Sequence, residues 1–213
     1  IPDSADLRLY ALVEPMAVAV YAVREAPVQL GDTVLIIGGG AIGMCAALAA
    51  KMAGGTKITI SEIASEKIER IKKMGFHVVN PKEKDAVKSC MDLTDGHGFN
   101  CIFEASGAPS GYDLLTKVGS YRAKAVNIGM NFSPSPLVTR EIMVTETGIK
   151  AIRIHQQSVF GLTERLFESL SEKEQRDLYS LISDDYDFDH LKEAFDFCVN
   201  DQSYCKVMVK VGL

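Results

Sequence analysis

The sequence predicts an α/β chain built on one doubly wound, six-stranded parallel sheet. Short apolar runs alternate with helix-length segments from residue 33 to residue 152. A glycine cluster separates the first run from an Ala-rich segment, and single or paired glycines stop several of the later ones. Strands separated by helices of this length cannot be hairpins. They require crossover connections and a parallel sheet with helices on both faces. Six such strands match one complete nucleotide-binding sheet of the doubly wound type.

Each element has a local justification. Residues 12–25 read as a helix leading into the sheet, with Glu14 in its first turn and Pro15 at the first helical position. TVLII at 33–37 is a β-rich run after Gly31-Asp32. Residues 41–53 are Ala-rich and end at Gly54-Gly55, the usual helix stop. A second strand is expected at 57–61. The helix at 65–74 places Ile68, Ile71 and Met74 on one face before Gly75. A brief third strand at 77–79, a helix at 85–93, strand CIFE at 101–104, a helix at 110–118 and strand AKAVNI at 123–128 follow, with a sixth strand at 148–152. Helices are expected at 157–170, 172–182 and 191–199, and an alternating strand, CKVMVKV, at 205–211. Nothing in the sequence supplies that last strand with a partner, and an unpaired edge with a bare apolar face is a liability.

Composition excludes several classes. The chain has 213 residues, enough for one domain or a domain with an appendage. With 47% apolar and 24% charged residues it is an ordinary globular sequence rather than a disordered one. No run of about 18 apolar residues offers a membrane span. A net charge of −5 argues against a nucleic-acid partner held by phosphate neutralisation. Five cysteines, at 45, 90, 101, 198 and 205, form no CxxC pair, which suits free thiols in a reducing, cytoplasmic compartment. The four histidines, at 77, 97, 155 and 190, show no metal-ligand spacing. The chain begins at Ile1 rather than Met, so it is expected to be cut from something longer.

The chemistry concentrates in Gly38-Gly39-Gly40-Ala41-Ile42-Gly43, a GxGxxG pattern read as Gly38, Gly40 and Gly43. It follows an apolar strand and opens a helix, the context a dinucleotide site requires. Gly38 permits the tight turn, Gly40 lets backbone approach a pyrophosphate, and Gly43 lets the helix pack against the strand. The helix N-terminus then offers free N–H groups and partial positive charge to phosphate. Glu62 stands 19 positions after Gly43, where an acid would accept hydrogen bonds from the adenosine ribose and repel a 2′-phosphate. NAD is thereby favoured over NADP. The bland alternatives are a strand–helix turn with no ligand and a solvated strand-end glutamate. S-adenosylmethionine methyltransferases also use a glycine loop, but they usually carry an acid just before it, where this chain has Leu35-Ile36-Ile37.

Several segments together resemble the zinc-dependent medium-chain dehydrogenases, the sorbitol- and threonine-dehydrogenase branches in particular. Val13-Glu14-Pro15-Met16-Ala17-Val18 is similar to that family's EPLxV helix, and residues 31–43 to its GDxVLVxGxGPIG. The 61–67 segment resembles its ribose motif, Phe103-Glu104-Ala105-Ser106-Gly107-Ala108 its FExxG, and Asn127-Ile128-Gly129-Met130 its VGxx. The departures are Ala41 for the family's proline, which loosens the loop, and Glu62 for its usual aspartate, which is one methylene shorter.

The resemblance implies a Rossmann domain at 26–155, preceded by a leading segment and helix at 1–25. It is followed by helices and a strand at 156–213 that return to an N-terminal catalytic domain. It implies that Gly38, Gly40, Ile42 and Gly43 line the pyrophosphate, and that Glu62 and Lys67 hold the adenosine ribose. Ala105, Ser106, Gly107, Ile128, Gly129 and Met130 would flank the nicotinamide. Val18 would lie near its face, and Arg153 and Ile154 after the sixth strand would touch the cofactor. Glu14 would stand beside a catalytic zinc, against the alternative of a simple first-turn helix acid. The family's cysteine and His-Glu ligands lie in the other domain, so no catalytic residue is expected in this chain. The implied activity is hydride transfer between a secondary alcohol or polyol and NAD. The implied assembly is a homo-oligomer joined through the sixth, edge strand. The competing reading is a stand-alone nucleotide-binding or sensing module without catalysis.

Overall fold

The computed structural model describes residues 5–201 and 203–212. Residues 1–4 of the expected leading segment therefore lie outside the described residues. The chain runs α1 (Leu7–Tyr10), α2 (Val13–Glu25), β1 (Val34–Ile37), α3 (Ala41–Met52), β2 (Ile58–Ser61), α4 (Ser65–Lys73), β3 (His77–Val79), α5 (Ala86–Leu93), β4 (Phe99–Glu104), α6 (Pro109–Lys117) and β5 (Gly119–Asn127). It continues through α7 (Thr139–Thr145), β6 (Gly148–Ala151), α8 (Gln157–Glu168), α9 (Glu172–Tyr179) and β7 (Ile182–Asp187). A single 3-10 turn (Phe188–His190), α10 (Leu191–Asn200) and β8 (Lys206–Lys210) close it.

Strands β1 to β6 form one sheet in the order β3-β2-β1-β4-β5-β6, every pair parallel. The order reverses between β1 and β4, which leaves a crevice at their carboxyl ends, and the glycine loop opens into it. Side chains on β1 alternate between two cores, as the strand period of two dictates. Val34 and Ile36 join α2, α3 and α8 on one face, while Leu35 and Ile37 join α5 and α6 on the other. All four are buried, so β1 reads as a continuous apolar run rather than an alternating one. On β4, Cys101 and Phe103 point to the first core and Ile102 to the second. Alanines 46, 47, 49 and 50 of α3 are all buried and let that helix lie close to the sheet.

The structure corrects several expectations. The second of the three terminal helices stops at Tyr179, and the segment after it is a strand, β7, not the end of a helix. Its sequence, ISDDYD, has three exposed aspartates and no apolar period, so it carries no strand signal. The terminal strand is not orphaned: β8 pairs in parallel with β7, from Ile182 opposite Lys206 to Asp187 opposite Lys210. Helix α7 is also unexpected; none of its residues is buried, so no apolar stripe announces it. Strands β4 and β5 begin earlier than their apolar cores, at Phe99 and Gly119. Pro15 is the third residue of α2 rather than the first, still within the turn where a missing N–H costs nothing. None of the described helices is long and apolar enough to cross a membrane.

Candidate functional site

The β1–α3 turn is shaped by two backbone demands. Gly38 has φ +99°, and its N–H donates to the Ser61 carbonyl at 2.8 Å, tying the loop to the end of β2. A Cβ on Gly43 would lie 1.9 Å from the Gly38 carbonyl oxygen, so no other residue fits there without moving the helix off the strand. Gly40 caps α3 with extended backbone and no side chain, and open space surrounds the position its Cβ would take. The first N–H groups of α3 thus face the crevice without a side-chain acceptor, a site suited to a phosphate group.

Glu62 holds this loop. Its Oε2 accepts from the Gly39 N–H at 2.8 Å, and its Oε1 accepts from Ile63 and Ala64 N–H at 2.6 and 2.9 Å. Three backbone donors fix the carboxylate at the mouth of the crevice, with Lys67 one helical turn beyond it.

Around this turn lies a cleft of about 500 Å³, a usual size for a small-molecule site. Of the sequence-expected residues, Gly38, Gly40, Glu62, Lys67, Ala105 and Ser106 line it. Its far wall comes from Pro81, Asp85, Ser110, Gly111 and Leu114, which belong to no motif and meet the loop only through the sheet order, together with Ala108 at the end of the FExxG-like segment. Ile42 and Gly43 sit in the first turn of α3 beneath the loop rather than on the cleft wall. Gly107, Gly129 and Met130 are brought together beside it: a Cβ on Gly107 would lie 2.4 Å from the Met130 carbonyl oxygen. The Ile128 N–H donates to the Glu104 carbonyl at 2.8 Å. Val18 is buried within α2.

Arg153 and Ile154 are exposed after β6, with Ile154 at φ +56°, an unfavourable region for a β-branched residue. The same segment puts His155 beside Glu14, its Nε2 4.0 Å from Glu14 Oε1. Gln156 Nε2 donates to the Tyr21 hydroxyl at 3.0 Å, anchoring the segment on α2. The His155–Glu14 pairing was invisible in the sequence because the two residues lie far apart along the chain. Among the described residues, His155 Nδ1 is buried without a hydrogen-bond partner. Among the described residues no group of three His, Cys, Asp or Glu is disposed to hold a metal ion. Glu14 and His155 therefore do not by themselves fit a zinc centre, which needs about three protein ligands. The cysteines do not add to the set. Burial pushes the Cys90 and Cys101 thiols up to about 12, and Cys45 higher still, which keeps them protonated.

A parallel sheet ordered 3-2-1-4-5-6, with a glycine turn and a strand-end acid at its reversal point, defines a doubly wound nucleotide-binding protein. The chain belongs to the zinc-binding dehydrogenase family, which it matches over residues 41–169. It is 33% identical over 148 residues to a (R,R)-butanediol dehydrogenase of Saccharomyces cerevisiae, covering 68% of this chain and 38% of that protein. It is 30% identical over 199 residues to a D-xylulose reductase of Morganella morganii, covering 92% of this chain and 57% of the relative. The crystal structure of 2R,3R-butanediol dehydrogenase from Bacillus subtilis superposes with a TM-score of 0.90 at 26% identity. That superposition covers 100% of this chain and 60% of the other. The chain therefore spans less than two thirds of the length of each of these relatives.

Proposed function

We propose that this chain is the NAD-binding portion of a zinc-type oxidoreductase that transfers hydride between a secondary alcohol or polyol and NAD. One observation carries the reading: the Glu62 carboxylate clamps the Gly39 N–H at 2.8 Å while standing in the same cleft as Gly38, Gly40 and Lys67. The clamp fixes the phosphate turn and the acidic ribose acceptor relative to each other. Gly38, Gly40, Ile42 and Gly43 carry the pyrophosphate turn, and Glu62 with Lys67 takes the adenosine ribose. Ser106, Gly107, Ile128, Gly129, Met130 and Arg153 serve the nicotinamide half. Bound NAD supplies the hydride acceptor; the protein supplies position and charge.

Zinc belongs to this proposal as a cofactor of the full-length enzyme, with Glu14 as a neighbouring acid. The division into 1–25, 26–155 and 156–213 belongs to it too, as do a cytoplasmic setting, in keeping with the buried free thiols, and an alcohol or polyol substrate. So does a homo-oligomer joined through β6. All four residues of β6 are exposed, and its described partner is β5 alone.

Calorimetric titration tests the cofactor assignment. NAD(H) is expected to bind more tightly than NADP(H). Glu62→Ala is expected to weaken NAD(H) about tenfold, the cost of a hydrogen bond to a charged group. Equal affinity for the two cofactors, or tighter NADP(H), sinks it.

A further inference from the structure

The end of β4 carries a buried acid that the dinucleotide reading leaves without a task. Glu104 is fully buried. Its Oε1 accepts from the Ser106 N–H at 2.9 Å, from the Gly107 N–H at 3.0 Å and from the Ser106 hydroxyl, and Oε2 accepts from the Gly107 N–H at 3.2 Å. Ser106 Oγ accepts in turn from the Ala108 N–H at 3.1 Å. Every contact donates toward the carboxylate, which is the arrangement that lets a buried charge persist.

The loop so organised touches both halves of the crevice. Against Gly38, a Cβ would come within 3.0 Å of the Ser106 N and Cα, so Ser106 forms the wall facing the phosphate turn. Against the end of β5, the backbones interlock. A Cβ on Gly129 would lie 2.4 Å from Gly107 N and 2.5 Å from Glu104 Oε2. From α6, the Tyr112 hydroxyl lies 2.8 Å from Asn127 Oδ1 and 3.2 Å from the Gly129 carbonyl oxygen, closing the same junction from the far side.

We propose that Glu104, supported by Tyr112, is a positioning residue. It registers the Gly129–Met130 segment against the 105–108 wall, so that the nicotinamide half of a bound dinucleotide meets a fixed surface. This rests on the dinucleotide reading above. The adenosine side of the cleft is bounded by Glu62 and Lys67, which Glu104 does not touch. The end of β5 lies further along the sheet, where the other half of the ligand must pass. Glu104→Gln keeps the shape but sets an amide NH₂ among N–H donors, which forces the junction apart.

The test compares NADH with ADP-ribose, which lacks the nicotinamide, on the full chain. Glu104→Gln is expected to weaken NADH about tenfold or more and ADP-ribose less than about threefold. Tyr112→Phe, a mild change at a half-buried site, is expected to weaken NADH about threefold with ADP-ribose unchanged, and it decides the matter should the first variant fail to fold. A purely structural role would weaken both ligands in step. Parallel losses, or unchanged NADH affinity, overturn the proposal while wild-type binding of both ligands leaves the dinucleotide reading standing. A wild-type chain that binds neither ligand overturns that reading and this proposal together.

Discussion

Two residues at the crevice set limits that single substitutions can measure. At Gly43 a methyl group has nowhere to go, since the Gly38 carbonyl oxygen would be 1.9 Å away. Gly43→Ala is expected to cost about 3 kcal/mol, the upper range for overpacking, and to abolish NADH binding, as read by urea denaturation and titration. Full stability in that variant would show that the helix can shift freely. Glu104 gives a pH signature. Burial is the largest influence and lifts its pKa above the ordinary 4.5, against the opposing pull of the Ser106 and Gly107 hydrogen bonds. The folded chain therefore holds this proton where the unfolded chain has released it. The associated stability is full below 4.5 and is lost as pH rises through the raised folded value. Relative to Glu104→Gln, the wild-type Tm is expected to decline from pH 4.5 upward in a fluorimetric series. A wild-type Tm that gains on the variant over that range counts against burial as the dominant influence.

Among the elements, legibility followed burial. β1, α3 and β4 lie in the cores and show it as apolar runs and an Ala-rich face, so their place and type could be read directly. β7 and α7 have exposed, mostly polar surfaces and could not. Helix α9 stands between these cases. Its start is written in the sequence as a capping box, with Ser171 accepting from the Glu174 N–H while Glu174 accepts from Ser171. Its own Leu178, and Leu181 just beyond its end, are fully buried. Ser171→Ala is expected to cost about 1 kcal/mol in chemical denaturation without altering cofactor affinity, because α9 lies away from the cleft. A loss of NADH affinity in that variant would tie the C-terminal region to the site.

For the whole molecule, the exposed edge strand and the Glu14–His155 pair bear on assembly and chemistry. β6 is exposed along its length, Ile149 included, and Phe132, Met143 and Val144 are further exposed apolar side chains in the connection between β5 and β6. Ile149→Lys is expected to shift sedimentation to the monomer while leaving cofactor binding intact; a wild-type chain that is monomeric at all concentrations rules the assembly out. Binding and turnover are expected to separate. With sorbitol, threonine or simple secondary alcohols, NAD and added zinc, the 213 residues alone are expected to give no NADH above background. The reason is that Glu14 and His155 offer a metal no third ligand among the described residues. Turnover in that assay would place the catalytic machinery within this chain after all.

The sheet, the glycine turn and the acid at the end of β2 could be read from the sequence, because each rests on local rules. Strand and helix periods are written in successive residues, and a Gly loop between a strand and a helix has few other uses. Tertiary structure alone decided the rest. The far wall of the cleft arises because β1 and β4 are neighbours although β2 and β3 lie between them in the chain. The Glu14–His155 pair, the β7–β8 pairing and the Glu104 junction likewise join residues that no local period relates. Such contacts exist only after the chain has closed on itself, when burial and hydrogen-bond satisfaction, rather than spacing, choose the partners.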